Sequence, residues 1–206
     1  MMLGGPGTRP ALASAGARVS DQLLEDLLPA AQAGQAWALR AVYDQLAPRV
    51  FAYLRTRGAS EPEDLTSEVF LTVFPRLGTL TGGAAGLRTF TFSVAHARLV
   101  DDLRKRARRE PTAAYDPATD RRTAPSSEDD ALAALQTQRV RRMLDGLAPD
   151  QRDVLVLRVL SDLTVEQVAE ALGKSAGAVK QLQRRGLLAL RRTLEQLPGD
   201  TDGVTL

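Results

Sequence analysis

TVEQVAEALGKSAGAVKQLQRRGLLALRRTLEQL, residues 164–197, is the stretch that decides the fold. Thr164 and Gln167 have the spacing of a capping box, which marks the start of a helix. Gly173 follows the last apolar residue of that first helix, where a helix end favours a residue that tolerates positive φ. Ser175 is a good N-cap for a second helix. The pattern therefore predicts two helices joined by a tight turn.

The second helix of this pair is basic on one side. No acidic residue lies between Lys174 and Arg192. A helix-turn-helix with a basic second helix suits the DNA major groove, whereas an ordinary amphipathic helix with a solvated basic face is the alternative. The predicted inner stripe is Val179, Leu182, Gly186, Leu190 and Leu194, and the predicted outer side is Lys180, Gln181, Arg184, Leu188 and Arg191.

Composition excludes several classes of protein. The formal net charge of +2 is too small to indicate nucleic-acid binding by the chain as a whole. Any such binding must therefore be inferred from local clusters of charge. The chain has no cysteine, which excludes disulfides and Cys-ligated metals and is compatible with a reducing cytoplasm. His96 is the only histidine, and no P-loop or dinucleotide motif is present, so we expect no enzyme, metal or cofactor. No apolar run reaches membrane-spanning length, so no membrane insertion is expected.

The predicted fold class is all-α, with two small helical domains joined by a flexible linker. Val154 to Leu160 would also suit a buried strand, but Pro149 at a helix N1 position favours helix. The composition predicts a disordered tail at 1–19, a first domain at 20–109, a linker at 110–130, a second domain at 131–197 and a tail at 198–206.

Four helices are predicted in the first domain. The first begins at Ser20 as N-cap, and the third begins near Ser60 in capping-box form and ends near Leu77. The glycine-rich segment 78–86 is predicted to be a loop before a fourth helix at 87–108. The second helix, 35–57, is predicted to point Trp37, Val42, Leu46, Val50 and Leu54 inward.

Three segments in order resemble the bacterial extracytoplasmic-function (ECF) sigma factors. They are PEDLTSEVFLTVF at 62–74, LRTFTFSVAHARLVDDLRKRARR at 87–109 and the region from Leu147 to Leu190. In that family they are the polymerase-binding helix, the −10 recognition helix and the −35 reading domain. The resemblance implies a sigma factor, which is not an enzyme and lends promoter specificity to core RNA polymerase.

The resemblance also implies residue roles. Core polymerase, through its β′ clamp helices, is expected at Asp64, Leu65 and Glu68. The melted −10 strand is expected at the 78–86 loop and at Arg88, Phe90, His96, Arg98, Arg104, Lys105, Arg106 and Arg108. The −35 duplex is expected at Lys174, Ser175, Ala178, Lys180, Gln181, Arg184 and Arg185, where Gln181 suits adenine and Lys180 or Arg184 suits guanine.

Some residues depart from the family pattern. Phe90 stands where the family often has Trp, and Ala97 where it often has Asn, which affects the prediction of −10 specificity. Leu182, Gln183 and Gly186 replace a more common Arg, Leu and Ala in the second helix of the helix-turn-helix, which leaves open which of its outer residues touch bases.

The sequence leaves two other functions open. One is a helix-turn-helix regulator with an N-terminal helical sensor domain, and the other is a helical adaptor that inhibits a sigma factor. The expected partners are core RNA polymerase and promoter DNA. An anti-sigma partner is common in the family, although no residue here identifies one.

Overall fold

The computed structural model describes residues 11–109 and 143–196. The predicted linker, residues 1–10 of the predicted first tail, and the predicted last tail lie outside the described residues. We refer to 11–109 as the N-terminal unit and to 143–196 as the C-terminal unit. Neither contains a β-strand, so the all-α prediction is confirmed for the part of the chain that the structure describes.

The N-terminal unit is a bundle of four α-helices and one 3-10 helix. Its elements are α1 (Ala11–Gln32), α2 (Ala36–Thr56), α3 (Pro62–Val73), the 3-10 helix (Phe74–Thr79) and α4 (Gly83–Arg109). Along α2, Val42, Leu46, Val50 and Leu54 recur every four residues and are buried, as predicted. They face a core to which the other helices contribute Leu24, Val69, Phe70, Leu87, Phe92 and Leu99.

The C-terminal unit contains the predicted helix-turn-helix. After a helical segment at 143–145 come α5 (Pro149–Leu160), α6 (Val165–Leu172) and α7 (Ala176–Gln196), so the ambiguous apolar run is helical as predicted. The Thr164–Gln167 capping box is present at the start of α6, and Gly173 ends that helix with φ 61°. Ser175 Oγ accepts a hydrogen bond from the Ala178 amide at 3.2 Å, which caps α7. Local sequence therefore determines this turn.

Three predicted boundaries in the N-terminal unit are wrong. Helix α1 begins at Ala11 rather than Ser20, because the alanine-rich segment before Ser20 has high helix propensity. Ser60 does not cap α3, since its amide and hydroxyl both donate to Asp102 of α4. The predicted 78–86 loop is largely helical, because the Glu25 carboxylate accepts from the Ala84 amide at 2.9 Å and supplies a tertiary cap for α4.

Two residues predicted to be in the core are exposed. Trp37 is 61% exposed because it lies one residue, about 100° of rotation, from the buried Ala38 that begins the inward face of α2. Leu194 is 52% exposed, whereas Val179 on the same predicted stripe is fully buried. Helix α7, at 21 residues, is longer than α5, at 12 residues, so its last turns extend beyond the partner that would bury them.

The two units pack against each other. Helix α4 lies along α6, and α2 contacts α5. Sequence patterns predicted two domains and gave no indication of this contact. It matters for function because α4 is the helix that the resemblance assigns to −10 DNA.

The close approach of α7 to α5 at Gly186 predicts that a side chain at this position would overpack the contact between the two helices. A Cβ at Gly186 would lie 2.8 Å from Leu155 Cδ1 and 3.4 Å from Gln151 Cβ, whereas one at Gly177, in the first turn of the same helix, would meet only Ser175 Oγ at 4.0 Å. Gly177→Ala should therefore stabilise the protein by up to about 1 kcal/mol through helix propensity. Gly186→Ala should lose that gain to overpacking, which costs about 1–3 kcal/mol.

Urea unfolding of both variants measures the difference. An equal stabilisation by the two substitutions would show that α5 and α7 separate without cost.

Candidate functional site

The outer face of α7 is an exposed polar and basic surface. Lys180, Gln181, Arg184 and Arg185 are all exposed, as predicted for residues that reach bases or phosphates. The opposite face holds the helix in place, since Val179 and Gly186 are buried against the rest of the unit. This surface presents guanidinium, ammonium and amide donors on a fixed helix, which is the arrangement that major-groove recognition requires.

Three other residues of the predicted −35 set lie at the turn before this surface. Ser175 is exposed, and its hydroxyl is used in capping α7. Ala178 is half-buried in the first turn. Lys174 is half-buried, and its Nζ lies 2.9 Å from Asp150 Oδ2 of α5. The turn is therefore held both by its own capping bonds and by this ion pair.

The basic end of α4 is a second exposed patch. Arg104, Lys105, Arg106 and Arg108 are exposed, and Arg104 lies 3.8 Å from Asp101 one turn earlier. Cations at a helix C-terminus complement the helix dipole. Their number also suits binding to several phosphates.

The first half of α4 is covered instead of exposed. Arg88 is buried, and its guanidinium donates to Asp21 and to the backbone carbonyl oxygens of Ser161 and Asp162 in the C-terminal unit. The Nδ1 atom of the half-buried His96 lies 2.9 Å from the Tyr53 hydroxyl. Two residues predicted to touch −10 DNA are therefore occupied within the protein in this arrangement.

Two other positions assigned to −10 specificity lie close by. Phe90 is half-buried, and the guanidinium carbon of Arg76 lies 6.0 Å from its ring centroid. Such a cation–π contact orients the ring without enclosing it. Ala97 is exposed. Phe90 thus keeps part of its surface available, with a cation beside it.

The predicted polymerase-binding residues form a mixed surface on α3. Asp64 and Glu68 are exposed and Leu65 is half-buried, and all three line a cleft of about 230 Å³ between α3 and α4. Arg98 belongs to this cleft as well, since its guanidinium lies 3.9 Å from Glu68 and donates to Thr72 Oγ1 at 3.2 Å. The structure thus places Arg98 between the residues predicted for −10 DNA and those predicted for polymerase.

Sequence reasoning missed a buried ion pair between the two units. Arg57 at the end of α2 donates to Asp153 of α5, and both side chains are 7% exposed. The Tyr53 hydroxyl donates to the same carboxylate at 3.3 Å. Burial, followed by the charge of Asp153, raises the pKa of Tyr53 well above its ordinary value, so the phenol stays protonated as the donor.

The sequence did carry a signal for this pair. Asp153 precedes the run Val154–Leu157, in which all four residues are buried. A carboxylate beside such a run is rarely buried unless a cation meets it. Nothing local in the sequence, however, identifies Arg57 as that cation.

A metal or membrane role has no support within the described ranges. No group of three or more His, Cys, Asp and Glu in them could hold a metal ion. Nor does any helix found there have the length and apolar character needed to cross a bilayer.

Comparison with known proteins agrees with both units. The profile of Sigma-70 region 2 matches residues 42–109, and that of Sigma-70, region 4 matches residues 143–192. The ECF RNA polymerase sigma factor BldN of Streptomyces coelicolor is 32% identical over 188 residues, covering 90% of this chain and 69% of BldN.

Two solved structures share the fold. CnrH, in complex with the cytosolic domain of CnrY, has a TM-score of 0.64 at 19% identity and covers 85% of this chain and 99% of its own. The sigma factor RpoE from Bartonella quintana, in complex with the anti-sigma factor NepR, has a TM-score of 0.58 at 18% identity and covers 77% of this chain and 98% of its own.

The burial of His96 predicts a pH dependence of stability. Burial lowers the pKa of His96 from 6.5, and the nearby carboxylates of Asp153 and Asp150 oppose this while Arg57 and Lys174 add to it. Because the folded protein binds the proton less well than the unfolded chain, this contribution to stability is present above pH 6.5 and is lost as the pH falls below it.

Thermal unfolding from about pH 7.5 down to about pH 5.5 tests this. His96→Gln should lose less stability over that interval than the unsubstituted protein, since the other titrating groups are common to both. Equal losses would show that His96 does not contribute.

Proposed function

The chain belongs to the ECF sigma factors of the sigma-70 family and directs transcription initiation by core RNA polymerase; we propose that it divides this work among three of its surfaces. The outer face of α7 reads the −35 duplex, α4 holds the −10 strand, and the α3 cleft binds polymerase. The match of the N-terminal unit to Sigma-70 region 2 favours this function over a regulator with a sensor domain.

The observation that carries the proposal is the geometry of α7. Gly186 and Val179 are buried on the inner face of the helix, and Lys180, Gln181 and Arg184 are exposed on its outer face, in a stretch without acidic residues. Arg and Lys pair with guanine and Gln pairs with adenine in the major groove. We infer that these three side chains include the base-reading residues and that Arg185 and Lys174 contribute phosphate contacts.

For the −10 element, the exposed cations at the end of α4 supply phosphate binding. Arg104, Lys105, Arg106 and Arg108 are available for this without any rearrangement. Phe90 offers a partly exposed aromatic ring on which an unstacked base can stack. The assignment of Arg88 to DNA requires that the C-terminal unit move away from α4, since its guanidinium is bound to Ser161 and Asp162. The assignment of His96 requires that it exchange its contact with Tyr53 of α2.

For polymerase, the α3 cleft supplies charge and apolar surface together. Asp64 and Glu68 are exposed carboxylates beside the half-buried Leu65. Such a surface complements a basic protein surface with an apolar centre. We propose that the β′ clamp helices of the polymerase dock here.

The proposed function also has consequences for catalysis, for cellular location and for a further protein partner. Sigma factors are regulators without catalytic activity, and here the polymerase would supply all of the chemistry. The protein would act in the cytoplasm, where the polymerase and the chromosome are. An anti-sigma partner is proposed by analogy with RpoE, which shares the fold and is bound to one.

Arg184→Ala tests the −35 surface. If Arg184 reads a base, the substitution should cost about 1–3 kcal/mol of promoter binding by holoenzyme and relax preference at one position. If it binds only phosphate, the loss should be similar on all sequences, and the salt slope should fall by about one. Arg192→Ala, also on exposed α7 surface but two turns nearer the C-terminus, is the control.

Lys180→Ala and Gln181→Ala are measured beside Arg184→Ala, and promoter binding and transcription equal to those of the unsubstituted protein in all three variants would remove α7 from promoter recognition. Val179→Ala is the core control, because Val179 is fully buried.

Asp64→Lys combined with Glu68→Lys tests the polymerase surface. Both side chains are exposed, so the fold should persist, and reversed charge should weaken binding to core polymerase by about ten-fold or more. The matched control is Asp26→Lys with Asp44→Lys, which reverses two exposed carboxylates on α1 and α2. A fluorescence titration that gives the same Kd for both double variants would rule out this cleft as the docking surface.

A further inference from the structure

The carboxylate of Glu25 on α1 is fitted to the glycine turn that leads into α4. It accepts a hydrogen bond at 2.9 Å from the Ala84 amide, one of the N–H groups that the first turn of a helix leaves without an intrahelical partner. A Cβ at Gly83 would overlap Glu25 Oε1, so the carboxylate occupies the space that a side chain at position 83 would fill. Glu25 and Gly83 therefore form a matched pair.

The other end of the same turn is held by a second residue of α1. Gln32 Nε2 donates to the carbonyl oxygens of Leu77 and Leu80, at 3.2 and 3.1 Å, where the 3-10 helix ends. Glu25 and Gln32 are seven residues apart, which is close to two helical turns, so both project from the same side of α1. Helix α1 thus holds the segment 77–84 at both of its ends.

This segment brings two side chains together on the surface proposed for −10 DNA. Arg76 lies in the 3-10 helix before the turn and Phe90 lies in α4 after it, and the Arg76 guanidinium carbon is 6.0 Å from the Phe90 ring centroid. An unpaired base that stacks on the ring would bring its phosphate near this cation. Because the two residues lie on opposite sides of the turn along the chain, their spacing depends on how the turn is closed.

The charge of Glu25 opposes DNA binding unless the residue has a structural use. Glu25 is exposed, and a carboxylate beside a surface that binds a DNA strand repels the phosphates of that strand. If Glu25 were only a solvated charge, its removal would tighten DNA binding. If it holds the turn, loss of its acceptor oxygen would weaken DNA binding instead. The two roles therefore predict effects of opposite sign.

We propose that Glu25 is a positioning residue for −10 recognition: its carboxylate closes the glycine turn and so sets Phe90 against Arg76, where an unpaired base of the −10 strand stacks. This rests on the proposed assignment of α4 to the −10 strand. Glu25 acts through Phe90 without touching DNA, and Gln32 supports the same turn from its other end. Glu25→Gln keeps an acceptor oxygen at the same reach, whereas Glu25→Ala removes it.

Selection of single-stranded DNA by holoenzyme tests the proposal. Core polymerase loaded with the full chain selects strands from a pool with about ten randomised nucleotides, and the Kd and base preferences are measured on the strand that the unsubstituted protein enriches. Glu25→Ala should bind this strand about three- to ten-fold more weakly, the size expected for loss of one helix cap, and lose preference at one position. Glu25→Gln should stay within about two-fold of the unsubstituted protein.

Asp26→Ala is the matched control. It removes a neighbouring exposed carboxylate of α1 whose hydrogen bond is to Gln22 of the same helix, so the Kd and the base preferences should not change. Gln32→Ala removes the hold at the other end of the turn and should reproduce the loss of preference seen with Glu25→Ala. The Kd for core polymerase should be the same in all of these variants, because the carboxylates of the α3 cleft are retained.

A double-mutant cycle shows whether Glu25 acts through Phe90. Phe90→Ala should lose preference at the same position, and adding Glu25→Ala should then weaken binding by no more than about two-fold. Equal binding by Glu25→Ala and Glu25→Gln, or losses that add in full in the double variant, would overturn the proposal. Full base preference retained by Phe90→Ala, or no strand enriched by holoenzyme with the unsubstituted protein, would instead contradict the assignment of α4 to −10 DNA.

Discussion

The arrangement of the two units depends on one buried ion pair. Asp153 lies at the start of a buried apolar run in α5, and only Arg57 and Tyr53 of α2 make its burial tolerable. Removing one partner of such a pair costs about 3–5 kcal/mol, because the other charge stays buried without compensation. Loss of either residue should therefore weaken the packing of α2 on α5, while the hydrogen bonds of Arg88 to Ser161 and Asp162 join the two units at α4.

The position of α6 then decides which functional residues are accessible. Helix α4 has a covered first half, with Arg88 bound to carbonyl groups of the C-terminal unit, and an exposed basic end. A guanidinium that meets carbonyl oxygens is equally suited to phosphate oxygens, since both are acceptors in a similar geometry. Arg88 therefore makes an internal contact with the same chemistry that its proposed role at −10 DNA would require.

The outer face of helix α7 stays accessible although the two units are packed against each other. Gly186 packs against Leu155 and Gln151 of α5 in the same unit, and the outer face of α7 is exposed while the two units are packed together. The cleft at Asp64, Leu65 and Glu68 is likewise exposed. The surfaces proposed for polymerase and for the −35 duplex are therefore accessible while the start of α4 is covered.

The helix-turn-helix was determined by sequence alone, because its signals are local: the Thr164–Gln167 capping box, Gly173 with positive φ and the Ser175 cap each act within one turn of chain. The inward stripe of α2 was equally predictable from its period. The start of α4 was decided by tertiary structure, since Glu25, far away in sequence, supplies its cap. The same is true of Arg88 and Asp153, whose partners lie in the other unit, because the energy of a buried charge depends on neighbours that no local pattern specifies.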